Sequence, residues 1–210
     1  LDQQYLNDRG GFWLSDREIG RIMSTLNQVR AYRETLTWFQ RAKTMEIPLN
    51  VNLYGHAMRA HIQSKQARKA VYLFDSMIKQ GIAPNRNAYT SAIFAAGSAG
   101  MADKALQLLY ILKNTGWEVD IRLYNACLSA LQKRQEIDPM YELIEIMRTD
   151  GCYPNTITYN ILISACKHTG DWERALAIMD EMYAANVEVD IVTYGAAINA
   201  CAQSGNWEMV

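Results

Sequence analysis

Apolar residues recur with helical spacing in two neighbouring runs near the end of the chain, 157–167 and 172–183. Those of the first run fall at i, i+3, i+4 and i+7, on one face of a helix: Tyr159, Leu162, Ile163 and Cys166. The second run has similar spacing. Gly170 and Asp171 separate the two runs, and Asp171 is suited to capping the second helix. The pattern therefore predicts a helix–turn–helix unit.

This unit recurs along the chain with a period of 35 residues. Positions separated by this period hold tyrosine five times out of six: Ile19, Tyr54, Tyr89, Tyr124, Tyr159 and Tyr194. Glycine recurs after the second run at Gly81, Gly116 and Gly151, where a helix can end in the left-handed conformation. A fixed period of about 20–50 residues indicates a solenoid. Since no segment alternates apolar and polar residues, we expect an all-α fold without a sheet.

The period divides residues 16–210 into repeats and leaves 1–15 as a lead-in or the remnant of a preceding repeat. The predicted repeats are 16–50, 51–85, 86–120, 121–155 and 156–190, with a partial repeat at 191–210. The chain does not begin with methionine, and Val210 falls where a second helix is expected. We therefore expect the chain to be part of a longer protein.

The composition is that of a folded protein with balanced charge. Half of the 210 residues are apolar by type, and the formal net charge is −1. The sequence contains no run of about 18 apolar residues that would predict a transmembrane helix, and no signal peptide. The four cysteines form no C-x-x-C pair, and Cys166 and Cys201 occupy equivalent repeat positions. We expect all four to be reduced thiols.

The sequence lacks the motifs of common catalytic and cofactor sites. It contains no phosphate-binding loop, nucleophile elbow, Gly-rich dinucleotide fingerprint or zinc-deaminase signature. His56 and His61 are five residues apart and fall on different helix faces, and His168 has no cysteine or histidine at ligand spacing. We therefore predict a non-enzymatic chain with no metal site and no cofactor.

The segment YPNTITYNILISACKHTGDWERALAIMDEM, residues 153–182, resembles a pentatricopeptide repeat, the unit of a family of 35-residue helix–turn–helix repeats. The matching features are the Thr-Tyr-Asn opening, Leu162-Ile163, Cys166-Lys167, Gly170, the segment 173–175 and Met182. The resemblance extends over roughly residues 16–210. It implies a right-handed superhelical solenoid whose first helices line the concave face. It also implies that single-stranded RNA binds, one nucleotide per repeat, in a mitochondrion or plastid.

In this family two side chains per repeat contact a base edge, namely the residue after the tyrosine and the last residue of the repeat. The resemblance assigns these positions to Gly20 with Asn50, Gly55 with Asn85, Thr90 with Asp120, Asn125 with Asn155, Asn160 with Asp190, and Gly195 without a partner. The resemblance implies that the Thr–Asp pair recognises G, that the Asn–Asn pair recognises C more than U, and that the Asn–Asp pair recognises U. Amides and hydroxyls donate and accept, whereas carboxylates only accept. The glycine positions should discriminate weakly.

Structural roles stay open for the same residues. Asn or Asp just before a helix is a common N-cap, so the last residue of each repeat could serve the helix alone. Asn125 and Asn160, near the start of a helix, could be solvated polar residues. The recurrence of both positions in register favours base recognition.

Three residues before each base-contacting position, the family places an aliphatic side chain that wedges between bases. Ile157 and Val192 fit this role. Arg122 and Arg17 can stack on a base through their guanidinium planes. The asparagines of repeats two and three do not fit, which weakens the RNA interpretation.

Contact with phosphates is usually made by Lys and Arg. At the turn between the two helices, where a cation would meet the RNA backbone, the candidates are Lys133 and His168. The equivalent positions of the other repeats are neutral: Gln28, Gln63, Ser98 and Gln203. The pI of about 6.4 indicates no global basicity, so we expect modest affinity for RNA.

Three functional hypotheses follow. The leading one is an organellar single-stranded RNA-binding solenoid that acts in RNA processing, stability or translation. The second is a protein-binding scaffold subunit of a large organellar assembly, such as a ribosome or a membrane-associated complex. The near-neutral charge and the glycines at base-contacting positions favour it. The third is an RNA-processing enzyme whose active site lies outside this span.

Overall fold

The computed structural model describes residues 14–203, apart from the side chains of residues 167–169. Over this range the backbone forms α-helices joined by short turns, without a strand. The helices are α1 Asp16–Gln28, α2 Tyr32–Thr44, α3 Val51–Gln63, α4 Ala67–Lys79, α5 Arg86–Ala99, α6 Ala102–Asn114, α7 Ile121–Arg134, α8 Ile137–Thr149, α9 Thr156–Thr169, α10 Trp172–Ala184 and α11 Ile191–Gln203. None of these helices has the length and apolar character needed to cross a membrane. The predicted lead-in lies almost entirely outside this range, as do residues 204–210.

The backbone interrupts the helices at two positions that recur every 35 residues. After each first helix one residue has a positive φ: Arg30, Lys65, Gly100, Gln135 and Gly170. After each second helix the same conformation recurs at Glu46, Gly81, Gly116, Gly151 and Asn186. Glycine adopts this conformation without strain, which explains the glycines in the sequence pattern. The recurring turns confirm the predicted all-α solenoid of helix–turn–helix repeats.

The helices pack into two compact units, of which the first ends at Ala88 and the second begins at Tyr89. In the first unit α1 packs against α2 and α3, and α3 packs against α4. In the second unit α9 contacts α7, α8, α10 and α11. A first helix therefore buries apolar surface both within its own repeat and against the next one. Each repeat depends on its neighbours for stability, as in other solenoids.

The recurring tyrosine lies in the core of three repeats, whereas Tyr89 is half-buried and Tyr194 is exposed. Three of these tyrosines are at most 2% exposed: Tyr54, Tyr124 and Tyr159. The Tyr159 hydroxyl reaches the end of α10 and donates to Glu181 Oε1 at 3.1 Å. Tyr124 donates to Asp150 at the end of α8, and burial together with this carboxylate raises the pKa of the Tyr124 hydroxyl. A buried ring with a satisfied hydroxyl therefore ties the first helix of a repeat to the second.

All four cysteines lie in the described residues, and none of them forms a disulfide there. Cys127, Cys166 and Cys201 are buried, and Cys152 is partly exposed. Burial raises the pKa of Cys127 to about 12 and that of Cys166 to about 11. Since the thiolate is the reactive form, these two thiols serve the core rather than chemistry.

Close packing of first helices in the second unit requires a glycine at Gly97 in α5. A Cβ atom at this position would lie 2.4 Å from the carbonyl oxygen of Ala126 in α7. This distance is far shorter than a van der Waals contact, so a larger residue would push the two helices apart. An added Cβ at Gly195 in α11 would meet no atom within 4 Å.

Replacing Gly97 with alanine should destabilise the second unit by about 1–3 kcal/mol, because overpacking forces the backbone to shift. Gly195→Ala, in the same unit, should be neutral or stabilising by up to about 1 kcal/mol, because alanine favours the helix and meets open space. Urea denaturation followed by circular dichroism measures both changes. A Gly97→Ala protein as stable as the wild type would contradict the close approach of α5 and α7.

Candidate nucleic-acid interface

The last residue of each predicted repeat caps the first helix of the next. In all five cases a side-chain oxygen accepts backbone N–H groups of the first turn: Asn50 from Asn52 and Leu53, Asn85 from Ala88, Asp120 from Leu123, Asn155 from Thr158, and Asp190 from Thr193. The capping role that the sequence left open is therefore present at every one of these positions. Such a cap contributes about 1 kcal/mol to helix stability. Because capping engages one side-chain oxygen, the other polar atom remains for a second contact.

Asn160 and Asp190, one of the predicted base-contacting pairs, lie side by side. Asn160 Nδ2 donates to the two carboxylate oxygens of Asp190 at 3.3 and 3.4 Å. Thr193 Oγ1 lies 2.6 Å from Asn160 Oδ1 and 2.9 Å from Asp190 Oδ1 and can donate to either. Because a carboxylate only accepts hydrogen bonds, it orients the Asn160 amide with its nitrogen toward Asp190. The pair thus combines an amide donor with a carboxylate acceptor.

Asn125 and Asn155, the pair of the preceding repeat, have the same arrangement. Asn125 Nδ2 donates to Asn155 Oδ1 at 3.5 Å, a long hydrogen bond. Thr158 Oγ1 lies 2.8 Å from Asn125 Oδ1 and 3.0 Å from Asn155 Oδ1. Asn125 is only 8% exposed, so its amide orientation is set by these neighbours and not by solvent.

Sequence reasoning missed the two threonines that hold these pairs. Thr158 and Thr193 are fully buried, and each contacts the asparagine of the preceding repeat. Their only signal in the sequence was a Thr-Tyr dipeptide in two successive repeats. The equivalent positions of repeats two to four hold Leu53, Ala88 and Leu123. The period alone therefore did not mark this position as functional.

The other predicted pairs lack such a side-chain contact. Asn50 Nδ2 donates to Asp16 Oδ2 at 2.7 Å, and its partner position is a glycine, as in repeat two. Asp120 accepts from Arg122 Nε at 3.0 Å and from its terminal nitrogen at 2.7 Å. In the part of the chain that the structure describes, no hydrogen bond joins Thr90 to Asp120. The structure therefore brings together two of the five predicted pairs.

The three predicted wedge residues are exposed at the start of first helices. Ile157 is 60% exposed and Val192 is 58% exposed. The Arg122 side chain is 74% exposed although it pairs with Asp120. An apolar side chain or a planar guanidinium can stack on a base. The exposure of these groups fits base wedging, which stays a prediction.

A cleft of about 450 Å³ in the second unit collects several of the predicted contacts. Asn125, the wedge residues Arg122 and Ile157, and Lys133 all line it, and Phe94 adds aromatic surface. The lining comes from three successive first helices, α5, α7 and α9. Its volume falls in the range of about 300–1,000 Å³ that is common for small-ligand sites. Nowhere in residues 14–203, outside the side chains of 167–169, do His, Cys, Asp or Glu form a group suited to a metal ion.

Lys133, a predicted phosphate contact, bonds to the end of α5. Its Nζ donates to Ser98 O at 2.6 Å and to Gly97 O at 3.3 Å. A cation at the carbonyl end of a helix is favourable because it opposes the helix dipole. An ammonium group has three N–H donors, so one remains for a phosphate oxygen. The side chain of His168, the other predicted phosphate contact, lies outside the described residues.

The surroundings of Asp190 favour its ionised form. The backbone N–H of Thr193, the Thr193 hydroxyl and the Asn160 amide lower the pKa of Asp190 below its usual value. Because the folded pKa is lower than the unfolded value of about 3.9, the carboxylate contributes stability above that pH. This contribution is lost as the pH falls through the lower, folded pKa.

Replacing Thr193 with valine should raise the pKa of Asp190 toward its usual value, because the hydroxyl donor is lost while the side-chain volume is kept. Thr193→Ser, which retains the hydroxyl, should leave the pKa low. Carboxyl-carbon NMR against pH measures the titration in the wild type and both variants. The same pKa in the wild type and in Thr193→Val would show that the hydroxyl does not stabilise this carboxylate.

Family models of pentatricopeptide repeats match most of the chain. The PPR repeat family model matches residues 119–168 and 154–203. The pentatricopeptide repeat domain model matches residues 38–98, and a PPR repeat model matches residues 88–116. Among proteins of curated function, no sequence matches this chain.

Solved structures share the fold. The pentatricopeptide repeat protein PPR10 from maize, in complex with an 18-nt psaJ RNA element, superposes with a TM-score of 0.71 and 22% identity over 92% of this chain and 28% of that chain. The PPR domain of Arabidopsis thaliana protein-only RNase P 1, in complex with tRNA, gives a TM-score of 0.71 and 14% identity over 93% of this chain and 99% of that chain. Nuclear proteinaceous RNase P 2 from A. thaliana gives a TM-score of 0.73 and 17% identity over 88% of this chain and 41% of that chain.

At these identities the structural similarity establishes the fold alone, and this chain spans less than half of the PPR10 and RNase P 2 chains. The family models add the repeat sequence itself, and the two ranges of the PPR repeat family model begin 35 residues apart, which is the period of the turns. The chain therefore belongs to the pentatricopeptide repeat family.

Proposed function

We propose that this chain binds single-stranded RNA, with about one nucleotide per repeat along the first helices of the second unit. The observation that carries the proposal is the cleft in which Asn125, Arg122, Ile157 and Lys133 lie together. These residues supply a base-edge amide, a planar cation, an apolar wedge and an ammonium group. A nucleotide offers the matching chemistry, namely a polar edge, a π-face and a phosphate. The RNA in the PPR10 complex and the tRNA in the RNase P 1 complex support the same class of ligand.

The hydrogen-bonding groups of the Asn160–Asp190 pair suit uracil. The Asp190 carboxylate can accept the ring N3–H of uracil, and the second N–H of Asn160 can donate to uracil O4. Cytosine carries an unprotonated N3, which a carboxylate would repel. The pair therefore favours U over C.

The Asn125–Asn155 pair suits cytosine, because the cap orients the Asn155 amide. Asn155 Oδ1 accepts the backbone N–H of Thr158, so Nδ2 remains for the base. An N–H donor matches the N3 acceptor of cytosine better than the N3–H of uracil. The helix cap and the base preference thus follow from one orientation of one side chain.

The biological setting belongs to the same proposal. We propose a role in RNA processing, stability or translation within a mitochondrion or plastid, through binding and positioning of a transcript and without catalysis by this span. The family resemblance supports this setting. Proteins of an organellar complex are further candidate partners, since the chain covers only part of PPR10 and RNase P 2.

A reciprocal exchange of the last residues of repeats four and five tests base recognition. Asp190→Asn should change the preference at its nucleotide from U to C, and Asn155→Asp should change the preference at the preceding nucleotide from C to U. Each change should alter the ratio of dissociation constants by about tenfold, since a base contact contributes about 1–3 kcal/mol. Both variants keep the N-cap, because Asn and Asp cap equally well. Fluorescence anisotropy with RNAs that differ at one nucleotide measures the ratios.

Asn85→Asp is the matched control, because its partner position, Gly55, has no side chain. It should leave every preference unchanged. Unaltered preferences in both exchange variants would contradict base recognition by these pairs. Failure of the wild type to bind RNA, with protein partners that co-purify after nuclease treatment, would favour the scaffold hypothesis.

A further inference from the structure

The two units differ sharply in charge, although the whole chain is nearly neutral. Residues 1–88 contain 13 Lys and Arg against 7 Asp and Glu. Residues 89–210 contain 8 Lys and Arg against 15 Asp and Glu. The first unit therefore carries a formal charge of +6 and the second a charge of −7, which sum to the net −1 of the chain. Such asymmetry between the parts of a chain suggests an interaction with nucleic acid or another polyanion.

Helix stability does not explain all cations of the first unit, although Arg41, Lys43 and Lys79 lie in last turns, where the helix dipole favours them. The first turn of α4 contains Arg68 and Lys69 and no acidic residue. The first turns of α6, α8 and α10 in the second unit contain Asp103, Asp138 and Glu173, and that of α2 in the first unit contains Glu34. A negative charge near a helix N-terminus is favourable by about 0.3–1 kcal/mol, and a positive charge is unfavourable there. The first unit thus carries cations even where they oppose helix formation.

Three arginines lie on the exposed side of the first helices of the first unit. Arg17 and Arg21 are one turn apart in α1 and flank Gly20, and Arg59 lies one turn after Gly55 in α3. All three arginines are exposed, and α1 packs alongside α3. Residues three and four apart share a helix face, so each glycine at a base-contacting position has arginine beside it. We call Arg17, Arg21 and Arg59 the basic face.

The two carboxylates of α1, Asp16 and Glu18, are engaged in capping and side-chain contacts. Glu18 accepts from Ser15 N at 2.8 Å and from Ser15 Oγ at 2.9 Å. Asp16 accepts from Asn50 Nδ2 at 2.7 Å. Between residues 14 and 203, no salt bridge involves an arginine of the basic face. Arg21 acts on the Glu18 carboxylate only through space, so the three guanidinium groups keep their hydrogen-bond donors for an external anion.

Within the described residues, α7 and α9 of the second unit have no counterpart of this surface. In α7 and α9 the positions equivalent to Arg21 and Arg59 hold Ala126, Ser129, Ile161 and Ser164. Arg122, at the position equivalent to Arg17, pairs with Asp120. The base-contacting pairs with side chains at both positions begin only at Thr90 in the second unit. Arginines beside a glycine at the base-contacting position therefore belong to the first unit, whereas in the second unit Arg122 and Lys133 line the cleft with Asn125.

We propose that the basic face of the first unit binds RNA phosphates regardless of sequence, while the second unit selects bases. The proposal rests on the RNA binding proposed above and assigns its two components, affinity and selectivity, to different residues. Guanidinium groups bind phosphate oxygens in bidentate geometry, and glycine at the base-contacting position leaves the base unselected. The positive charge also explains how a chain with an acidic second unit attracts a polyanion.

A polyanionic RNA fits this surface better than an acidic peptide does. The arginines recur at first-helix positions in two successive repeats, each next to a glycine that gives a base room without selecting it. A peptide has no bases, so the glycines beside these arginines would not favour its binding. An acidic peptide is therefore the alternative occupant that the experiment must separate.

The test measures dissociation constants against salt for two fluorescent single-stranded RNAs, one carrying G-C-U in an A background and one containing A alone. The triple variant Arg17→Gln, Arg21→Gln, Arg59→Gln should lower the slope of log K against log salt by about 2, since each phosphate contact on a single strand contributes about 0.7. Its affinity loss between 50 and 200 mM KCl should be about 20-fold smaller than that of the wild type. The preference for G-C-U over A should stay the same.

The control has the same charge change on second helices: Arg33→Gln, Arg68→Gln, Lys69→Gln. It should change the slope much less than the triple variant of the basic face. An equal change in the control would overturn the basic face as the site, because charge would then act without regard to position. An unchanged slope in the basic-face variant would also overturn it, even if the wild type prefers G-C-U.

The same data separate this inference from the proposed function. The wild type could bind both RNAs equally while the basic-face variant shows the predicted smaller slope of log K against log salt. That result would support the basic face and contradict base selection. A wild type that binds neither RNA would contradict both proposals. Retention of poly-glutamate by such a wild type, abolished in the basic-face variant, would assign the surface to an acidic protein.

Discussion

The interface depends on one constraint, the N-cap at the start of each first helix. A short Asn or Asp side chain satisfies backbone N–H groups that the helix leaves unpaired, and this fixes which of its polar atoms points elsewhere. In Asp190 and Asn155 the cap engages Oδ1, and the same oxygen accepts from the amide of the asparagine in the preceding first helix. The residue that starts a helix therefore also sets the donors and acceptors of the pair. Helix formation and the proposed base preference cannot be separated at these positions.

The threonines extend this constraint from one repeat to the next. Thr158 and Thr193 are buried and connect the cap of their own helix with the asparagine of the preceding one. A buried polar group is costly unless it is hydrogen-bonded, so these contacts hold the asparagine amides in a single orientation. Repeat three lacks this support, because Leu123 occupies the equivalent position beside Asp120. The threonine support is therefore found at Asn125 and Asn160 and not at Thr90.

The fold could be predicted from the sequence because its turns and core residues recur at one spacing. Tyrosine and glycine mark the core and the helix ends, and even the turns at Lys65 and Gln135, which lack glycine, follow the same register. Pairing of Asn160 with Asp190 also followed from the period and the family resemblance. The role of Thr193 did not, because a contact between repeats has no periodic signal when earlier repeats hold Leu or Ala. The pI of the whole chain likewise concealed the charge difference between the units, which became visible only once the boundary at Ala88 and Tyr89 was known.

The central claim is that Asn125 and Asn160 meet bases through amides that the protein has already oriented. NMR of the side-chain amides during addition of a G-C-U RNA tests this claim most directly. We expect large shifts for these two amides, and none for Asn27, a buried amide that donates to the carbonyl of His56 in the first unit. We also expect much smaller shifts with an A-only RNA. Unmoved Asn125 and Asn160 resonances at saturating RNA, or equal shifts with both RNAs, would contradict the account.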